Sequence, residues 1–211
     1  MIRILLVDDH PVVRSGCQRL LELEDDLRVV AQAASVDEAC VLWARQPVDL
    51  TITDLSLPGS SGLELVRRLR ERMPEARVLV FSMLDSDALV RRALALGARG
   101  YVPKSAAPES LIEAVRTVMR GQRALAPGLP THLLREASDT GPLAELTPRE
   151  LEILRLLASG LSAAHCARAL HLSPKTVSNL QSQIKDKLGL ATSAAMVHFA
   201  LRHGLIALDG A

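Results

Sequence analysis

MIRILLVDDH, residues 1–10, is an apolar run that stops abruptly at two acids. Such a run, bounded by charge, fits a strand buried on both faces, with Asp8 and Asp9 at its carboxyl end. The same pattern returns along the chain. Strands are predicted over 2–7, 29–32, 50–54, 78–81 and 100–102. Between them, 11–23, 36–45, 62–72, 86–96 and 108–119 carry apolar residues at helical spacing, as in Leu63, Val66, Leu69 and Leu111, Val115, Val118. Five strand–helix repeats predict an α/β doubly wound, five-stranded parallel sheet of the flavodoxin-like type. In such a sheet ligands sit beyond the carboxyl ends of the strands, where Asp8 and Asp9 stand.

At 211 residues the chain is long enough for two small domains with separate cores. Aromatics are only 2%, so the cores must be built from Leu, Val, Ile and Ala, and stacking-based binding of single strands is disfavoured. Cys17, Cys40 and Cys166 are scattered singly and read as small apolar residues in a reducing compartment. The N-terminus is too short and too acidic for a signal peptide, and no apolar run approaches membrane-spanning length. A cytoplasmic protein without membrane contact is expected. Charge is uneven: residues 1–145 carry net −2 and residues 146–211 net +3. An acidic front and a basic tail fit a sensor joined to a binder of polyanions.

In the front part, Asp8 and Asp9 end the first strand and Asp54 the third, which gathers three carboxylates at one sheet edge if those strands are neighbours. Three uncompensated carboxylates repel, so a divalent cation is their natural partner, and Mg²⁺ favours carboxylate and water ligands. Ser82 ends the fourth strand and Lys104 follows the fifth, adding a hydroxyl and an ammonium. The set suits phosphoryl transfer: Asp54 as carboxylate nucleophile, Mg²⁺ and Lys104 neutralising charge on the transferring oxygens. Taken alone, a strand-end Asp is a turn former and a lone Lys a solvated charge. It is the convergence of strand ends that outweighs those readings.

LLVDDH (5–10), DLSLPGSSG (54–62) and GARGYVPKS (97–105) closely resemble the receiver domain of response regulators, over about residues 1–120. The resemblance implies that Asp54 accepts phosphate from a sensor histidine kinase and that Asp8 and Asp9 hold Mg²⁺, with the backbone carbonyl of Ser56 as a further ligand. It implies that Ser82 and Lys104 contact the phosphoryl group, and that Tyr101 is a switch aromatic that turns inward as the hydroxyl residue moves. Otherwise Tyr101 is an edge-strand tyrosine packed on a helix.

Residues 121–145 lose the repeat and read as a linker, with one short helix around 130–136. Order resumes at LTPRE (146–150), where Thr147, Pro148 and Glu150 compose a capping box. Helices are predicted over 148–158, 162–169, 174–188 and 192–203, a small all-α domain spanning 146–211. Ser162 and Ser173 can cap successive helices, and Ala167 lets them approach. Val177, Ile184 and Leu188 form a buried stripe. The opposite face carries Lys175, Ser178, Asn179, Ser182 and Lys185, and with Thr176 these are the expected DNA contacts. LTPRE, Gly160-Leu161-Ser162, Leu172-Ser173, Lys175-Thr176-Val177 and Lys187-Leu188-Gly189 resemble the LuxR-type helix-turn-helix of the NarL/FixJ regulators. The sequence departs from that pattern at Ser178 and Ser182, where basic residues are common, and at Leu180, where His is common. Fewer cations release fewer counterions, so one domain should bind weakly and a pair is needed. Ala195, Phe199 and Leu201 are a candidate dimer face or part of the core.

The expected function is a two-component response regulator in which phosphorylation of Asp54 controls binding to double-stranded promoter DNA through a homodimer, with RNA polymerase a further candidate partner. It is not expected to be an enzyme beyond catalysing its own phosphorylation and dephosphorylation. The alternatives are a receiver with a protein-binding output domain and an aspartate-nucleophile phosphatase. A phosphatase would need a second acid near the nucleophile, and position 56 is Ser. His165, Cys166 and His171 lack a fourth partner for zinc.

Overall fold

Period-two alternation in the first strand sets up two cores. In β1 (Ile2–Val7), Ile4 and Leu6 point to one face of the sheet and Leu5 and Val7 to the other, all of them buried. The first face packs against α1 (Pro11–Leu21) and α5 (Pro108–Met119) through Leu21, Leu111, Val115 and Val118. The second packs against α2 (Val36–Arg45), α3 (Gly62–Arg72) and α4 (Asp87–Ala95) through Val36, Leu65, Val66, Leu69, Val90 and Leu94. The remaining strands are β2 (Leu27–Ala33), β3 (Leu50–Thr53), β4 (Val78–Ser82), β5 (Gly100–Pro103) and β6 (Ala124–Leu125). This computed structural model describes residues 1–130, 133 and 142–206.

The sheet is parallel throughout, in the order β2-β1-β3-β4-β5-β6. The α/β doubly wound architecture is as the strand–helix repeat predicts, with one correction: there are six strands, not five. β6 lies within the stretch read as linker. It is two residues long between Gly121 and Pro127, too short to carry a periodic signal, yet it pairs Gly100 with Ala124 and Tyr101 with Leu125. Tyr101 is therefore not on an edge strand. The helix expected around 130–136 falls largely outside the described residues; Leu133 is buried, and a 3₁₀ turn spans Pro142–Glu145.

Four helices follow: α6 (Pro148–Ala158), α7 (Ala163–Ala169), α8 (Pro174–Leu188) and α9 (Ser193–Arg202). Each begins on a hydroxyl cap: Thr147, Ser162, Ser173 and Thr192 accept from Glu150, His165, Thr176 and Ala195 N–H groups. The capping box is complete, since Thr147 N–H also donates to Glu150 Oε2 at 2.7 Å. Lys187 Nζ reaches the same oxygen at 2.7 Å and ties the end of α8 to the start of α6. Burial alone would raise the Glu150 pKa, but the bonds from Lys187 and Thr147 hold it below the usual carboxylate value. Leu151, Leu154, Cys166, Ala167, Val177, Ile184, Met196 and Ala200 fill the core between these helices. Cys166 is thus a core residue, and no metal-ligand cluster forms around it among the described residues.

α6 also faces the α/β half. A small cavity between them is lined by Leu55, Ser61, Leu63, Leu84 and Leu89 on one side and by Pro148, Glu152 and Arg155 on the other. Arg92 Nη2 donates to the Leu146 carbonyl at 3.0 Å across this seam. Glu152 is 6% exposed and accepts from Arg149 Nη1 at 2.6 Å. Burial raises the Glu152 pKa in spite of that arginine, and lowers that of Arg155 in spite of Glu152.

Candidate functional site: an acidic pocket and an exposed recognition helix

Strand order brings the acids together. β1 is central, paired to β3 so that Val7 stands opposite Thr53. The ladder continues one step past the strands, with Asp54 N–H donating to Val7 carbonyl at 2.9 Å and Asp8 N–H to Ala33 carbonyl at 3.1 Å. Asp8 and Asp54 are consequently fixed at adjacent strand ends, 2% and 4% exposed. Ionised carboxylates this deeply buried need partners, and Lys104 supplies them. It follows β5, where Ser82 pairs with Pro103, and its N–H donates to the Ser82 carbonyl at 2.8 Å. Its Nζ donates to Asp8 Oδ2 at 2.5 Å and to Asp54 Oδ2 at 2.8 Å. Burial of the ammonium would lower its pKa, but the two carboxylate bonds outweigh that and raise it. Lys104 is therefore a cation at any physiological pH.

The other oxygens are held from the backbone. Leu55 N–H donates to Asp54 Oδ1 at 2.6 Å and His10 N–H to Asp8 Oδ1 at 2.8 Å. Arg14, on the first turn of α1, donates to the Asp8 carbonyl. Asp9 Oδ1 is shielded from solvent yet accepts no well-directed hydrogen bond. It lies 2.7 Å from His10 Nδ1. One ligand atom from each of Asp8, Asp9, His10 and Asp54 fits within 4.8 Å of the others. An oxygen met by an imidazole nitrogen out of hydrogen-bond alignment, beside two further carboxylates, suits a bound cation. The Ser56 carbonyl, in the loop after Asp54, accepts no hydrogen bond among the described residues.

Local sequence shapes this loop. Gly62 opens α3 with its Cα against the chain just past β3: a Cβ there would lie 1.8 Å from the Asp54 carbonyl oxygen. Its N–H donates to Leu55 carbonyl at 2.8 Å, and Ser61 caps the helix. Ser82 is fully buried at the end of β4, its Oγ accepting from Leu84 N–H at 3.3 Å. Tyr101 points inward, fully buried, and its hydroxyl donates to the Leu84 carbonyl. Burial, then the charges of Asp54 and Asp85, push its pKa up, so it stays a neutral donor.

The second candidate site is the face of α8. Lys175, Ser178, Asn179 and Ser182 are exposed, and Lys185 and Thr176 are half-buried. Val177 and Ile184 are buried as the stripe predicts, with Leu188 only partly covered. The structure withdraws several polar groups from this face. The Ser178 and Ser182 hydroxyls bond back to the Pro174 and Ser178 carbonyls at 3.0 and 3.3 Å. Thr176 Oγ1 meets the Ser173 cap at 2.8 Å, and Lys185 Nζ reaches Ser193 Oγ at 3.4 Å. Lys175 and Asn179 remain as the outward-facing polar ends. On α9, Met196 and Ala200 form the core contact, while Ala195, Phe199 and Leu201 are only partly covered. Sequence reading missed His10, Arg14 and Gly62; the first and last stand inside the quoted motifs, but only contact distances give them a purpose.

Two family models match the chain: a response regulator receiver domain over residues 4–116, and the luxR family of bacterial regulatory proteins over residues 144–200. The response regulator UvrY of Escherichia coli K12 is 33% identical over 210 residues, covering 97% of this chain and 96% of its own. The transcriptional activator protein ExaE of Pseudomonas putida is 40% identical over 208 residues, covering 96% and 97%. Among solved structures, RcsB from Salmonella enterica serovar Typhimurium, bound to promoter rprA in the presence of phosphomimetic BeF₃⁻, superposes with a TM-score of 0.63. It is 28% identical and covers 94% of this chain and 98% of that one.

Proposed function

The chain belongs to the response regulators that join a receiver domain to a LuxR-type DNA-binding domain, and on that premise we propose that Asp54 is the phosphoacceptor whose modification controls promoter binding through α8. One observation carries this reading: Lys104 Nζ bridges Asp8 and Asp54 at 2.5 and 2.8 Å inside a pocket of strand-end acids. A carboxylate held at one oxygen by a cation and at the other by a backbone N–H is an oriented nucleophile.

Phosphotransfer from the kinase would form a bond from an Asp54 oxygen to phosphorus as the phosphohistidine P–N bond breaks, the imidazole leaving with the electron pair. Lys104 would then move its donors from carboxylate to phosphoryl oxygens, and Ser82 would offer its hydroxyl. Asp8, Asp9, Asp54 and the Ser56 carbonyl would hold Mg²⁺, which supplies neutralisation of charge on the transferring oxygens. The same pocket would let the receiver catalyse its own phosphorylation and dephosphorylation, while the output stays regulatory. Receiver, linker and output domain are assigned to 1–120, 121–145 and 146–211, with β6 structurally part of the first.

The phosphate adds about −1.5 to −2 charges and three acceptor oxygens. Lys104 and Ser82, drawn toward it, would pull on the loop that carries Leu84, to which Tyr101 is bonded. Tyr101 is thus placed to relay the change to the α4–β5–α5 surface, and a population shift results only to the extent that the phosphate favours one conformer. Binding as a homodimer follows from the neutral recognition face, and RcsB bound to promoter DNA gives the precedent. No described helix is long and apolar enough to cross a membrane, and a cytoplasmic location with access to DNA, kinase and RNA polymerase fits this role. Incubation with acetyl phosphate and Mg²⁺ should add one phosphate by intact-mass spectrometry and none to Asp54→Asn; equal labelling of the variant refutes the assignment.

A further inference from the structure

We infer that His10 turns the acidic pocket into a discriminating metal site, its imidazole supplying a nitrogen ligand that favours borderline divalent cations such as Co²⁺ and Zn²⁺ relative to Mg²⁺. The inference rests on the cation-binding reading of the pocket given above. His10 immediately follows the acidic pair, and two features fix it at the mouth of the pocket beside the acids. Its N–H donates to Asp8 Oδ1 at 2.8 Å, and Pro11 fixes the chain direction into α1. The ring then lies with Nδ1 at 2.7 Å from Asp9 Oδ1 and 3.2 Å from Asp8 Oδ1.

Within the fold that imidazole serves the two acids before it, meeting Asp9 and Asp8. His10 occupies the N-cap of α1, but its side chain makes no capping hydrogen bond. Its side chain is 63% exposed, so no core contact demands it. Its polar neighbours are the carboxylates themselves. Ligand atoms of Asp8, Asp9, His10 and Asp54 all fall within 4.8 Å of one another. Around one ion at metal–ligand distances of about 2.0–2.2 Å, opposite donors stand about 4.2 Å apart, so rotation of the exposed His10 and the half-buried Asp9 toward the buried Asp8 and Asp54 closes the set. The Asp9 Oδ1 atom accepts no well-directed hydrogen bond, and Asp9 belongs to the same group.

The donor set is then three carboxylates and one imidazole. Mg²⁺ is hard and takes oxygen ligands, so the ring offers it little. Zn²⁺ and Co²⁺ bind imidazole well and stand above Mg²⁺ for nitrogen donors. His10 therefore selects among cations without being needed for Mg²⁺.

The test uses the full chain and three cations. Calorimetric titration gives Mg²⁺ affinity, and Co²⁺ binding is followed by visible absorption with and without excess Mg²⁺, which separates the pocket from the other histidines. His10→Gln should weaken the Mg²⁺-competed Co²⁺ and Zn²⁺ sites by about tenfold or more, the loss expected even for an outer partner of a metal ligand. Mg²⁺ affinity should stay unchanged, and the Co²⁺ spectrum should lose its nitrogen-ligand contribution. Unchanged Co²⁺ affinity in His10→Gln, or absence of any Mg²⁺-competed Co²⁺ site, overturns the inference. So does an equal fall for Mg²⁺ and Co²⁺, since His10 would then merely orient the carboxylates. Failure of the wild-type chain to bind Mg²⁺ would sink the Mg²⁺ assignment under the proposed function and, with no Mg²⁺-competed site left, this inference with it.

Discussion

The two working surfaces of this chain are built on opposite electrostatic terms. In the receiver, Asp8, Asp54 and Lys104 are buried together, and every charge is fixed by a strand end or a backbone donor. On α8 the polar groups are mostly exposed, and much of their hydrogen-bonding capacity is spent within the domain: Ser178 and Ser182 on the helix backbone, Thr176 on its cap, Lys187 on Glu150 of α6. A buried charged cluster is energetically coupled, so one substitution disturbs all of it. An exposed, nearly neutral face is additive, with small separate contributions that need a second copy to sum to useful affinity. The difference explains why one half suits switching and the other suits reading.

The largest effect should come from Lys104→Ala. Removing the cation leaves two buried carboxylates facing each other, and breaking such a pair costs about 3–5 kcal/mol. Urea unfolding should register most of that loss without Mg²⁺ and less with it, since the cation replaces the ammonium. The sign with pH follows from the raised Lys104 pKa: its contribution is full below the unfolded value of 10.5 and fades as pH rises through the higher folded value. Equal stability of variant and wild type would break the contrast between the two surfaces.

Gly62→Ala probes the same pocket through shape instead of charge. The added methyl would meet the Asp54 carbonyl oxygen, so the loop after β3 must shift, at about 3 kcal/mol. Phosphorylation by acetyl phosphate should slow along with the lower unfolding midpoint. A variant with normal stability and labelling would show that the β3–α3 approach is looser than described.

On the DNA side, Asn179→Ala should cost about 1–3 kcal/mol on a duplex selected for specific binding and almost nothing on a random one. Lys175→Ala should weaken both and flatten the salt dependence by about one ion. Titration of both variants at two salt concentrations separates them. Equal losses on both duplexes for Asn179→Ala would remove it as a base reader.

The smallest effect is expected at Asp49, away from both surfaces. Arg3 grips it through two side-chain bonds at 2.9 and 2.8 Å and holds its pKa down at about 2, from an ordinary 3.8. This depressed carboxylate stabilises the fold above pH 3.8 and loses that contribution as pH falls through about 2. Both side chains are partly exposed, so screening limits Asp49→Asn to about 1 kcal/mol near neutral pH, vanishing in strong acid. Thermal melts across that range read it directly.

Sequence by itself determined the repeat of strands and helices, because apolar runs and helical spacing are local properties of the chain. It also marked Asp8, Asp9, Asp54, Ser82 and Lys104, since parallel strands deliver their carboxyl ends to one edge whatever the details, and it marked the caps Thr147, Ser162 and Ser173, whose hydroxyls act within one turn. Tertiary structure alone decided the rest. β6 exists because Gly100 and Tyr101 offer an open ladder to two residues that carry no periodic signal. Tyr101 lies inward because the Leu84 carbonyl is there to accept from it. Gly62 is required by a contact with Asp54, eight residues away along the chain, and Lys187 is drawn off the recognition helix by Glu150 on another. The helical core takes Met196 and Ala200 from α9 in full and Phe199 only in part, because the angle at which helices cross, set by every contact between them, decides which side of an apolar helix is covered.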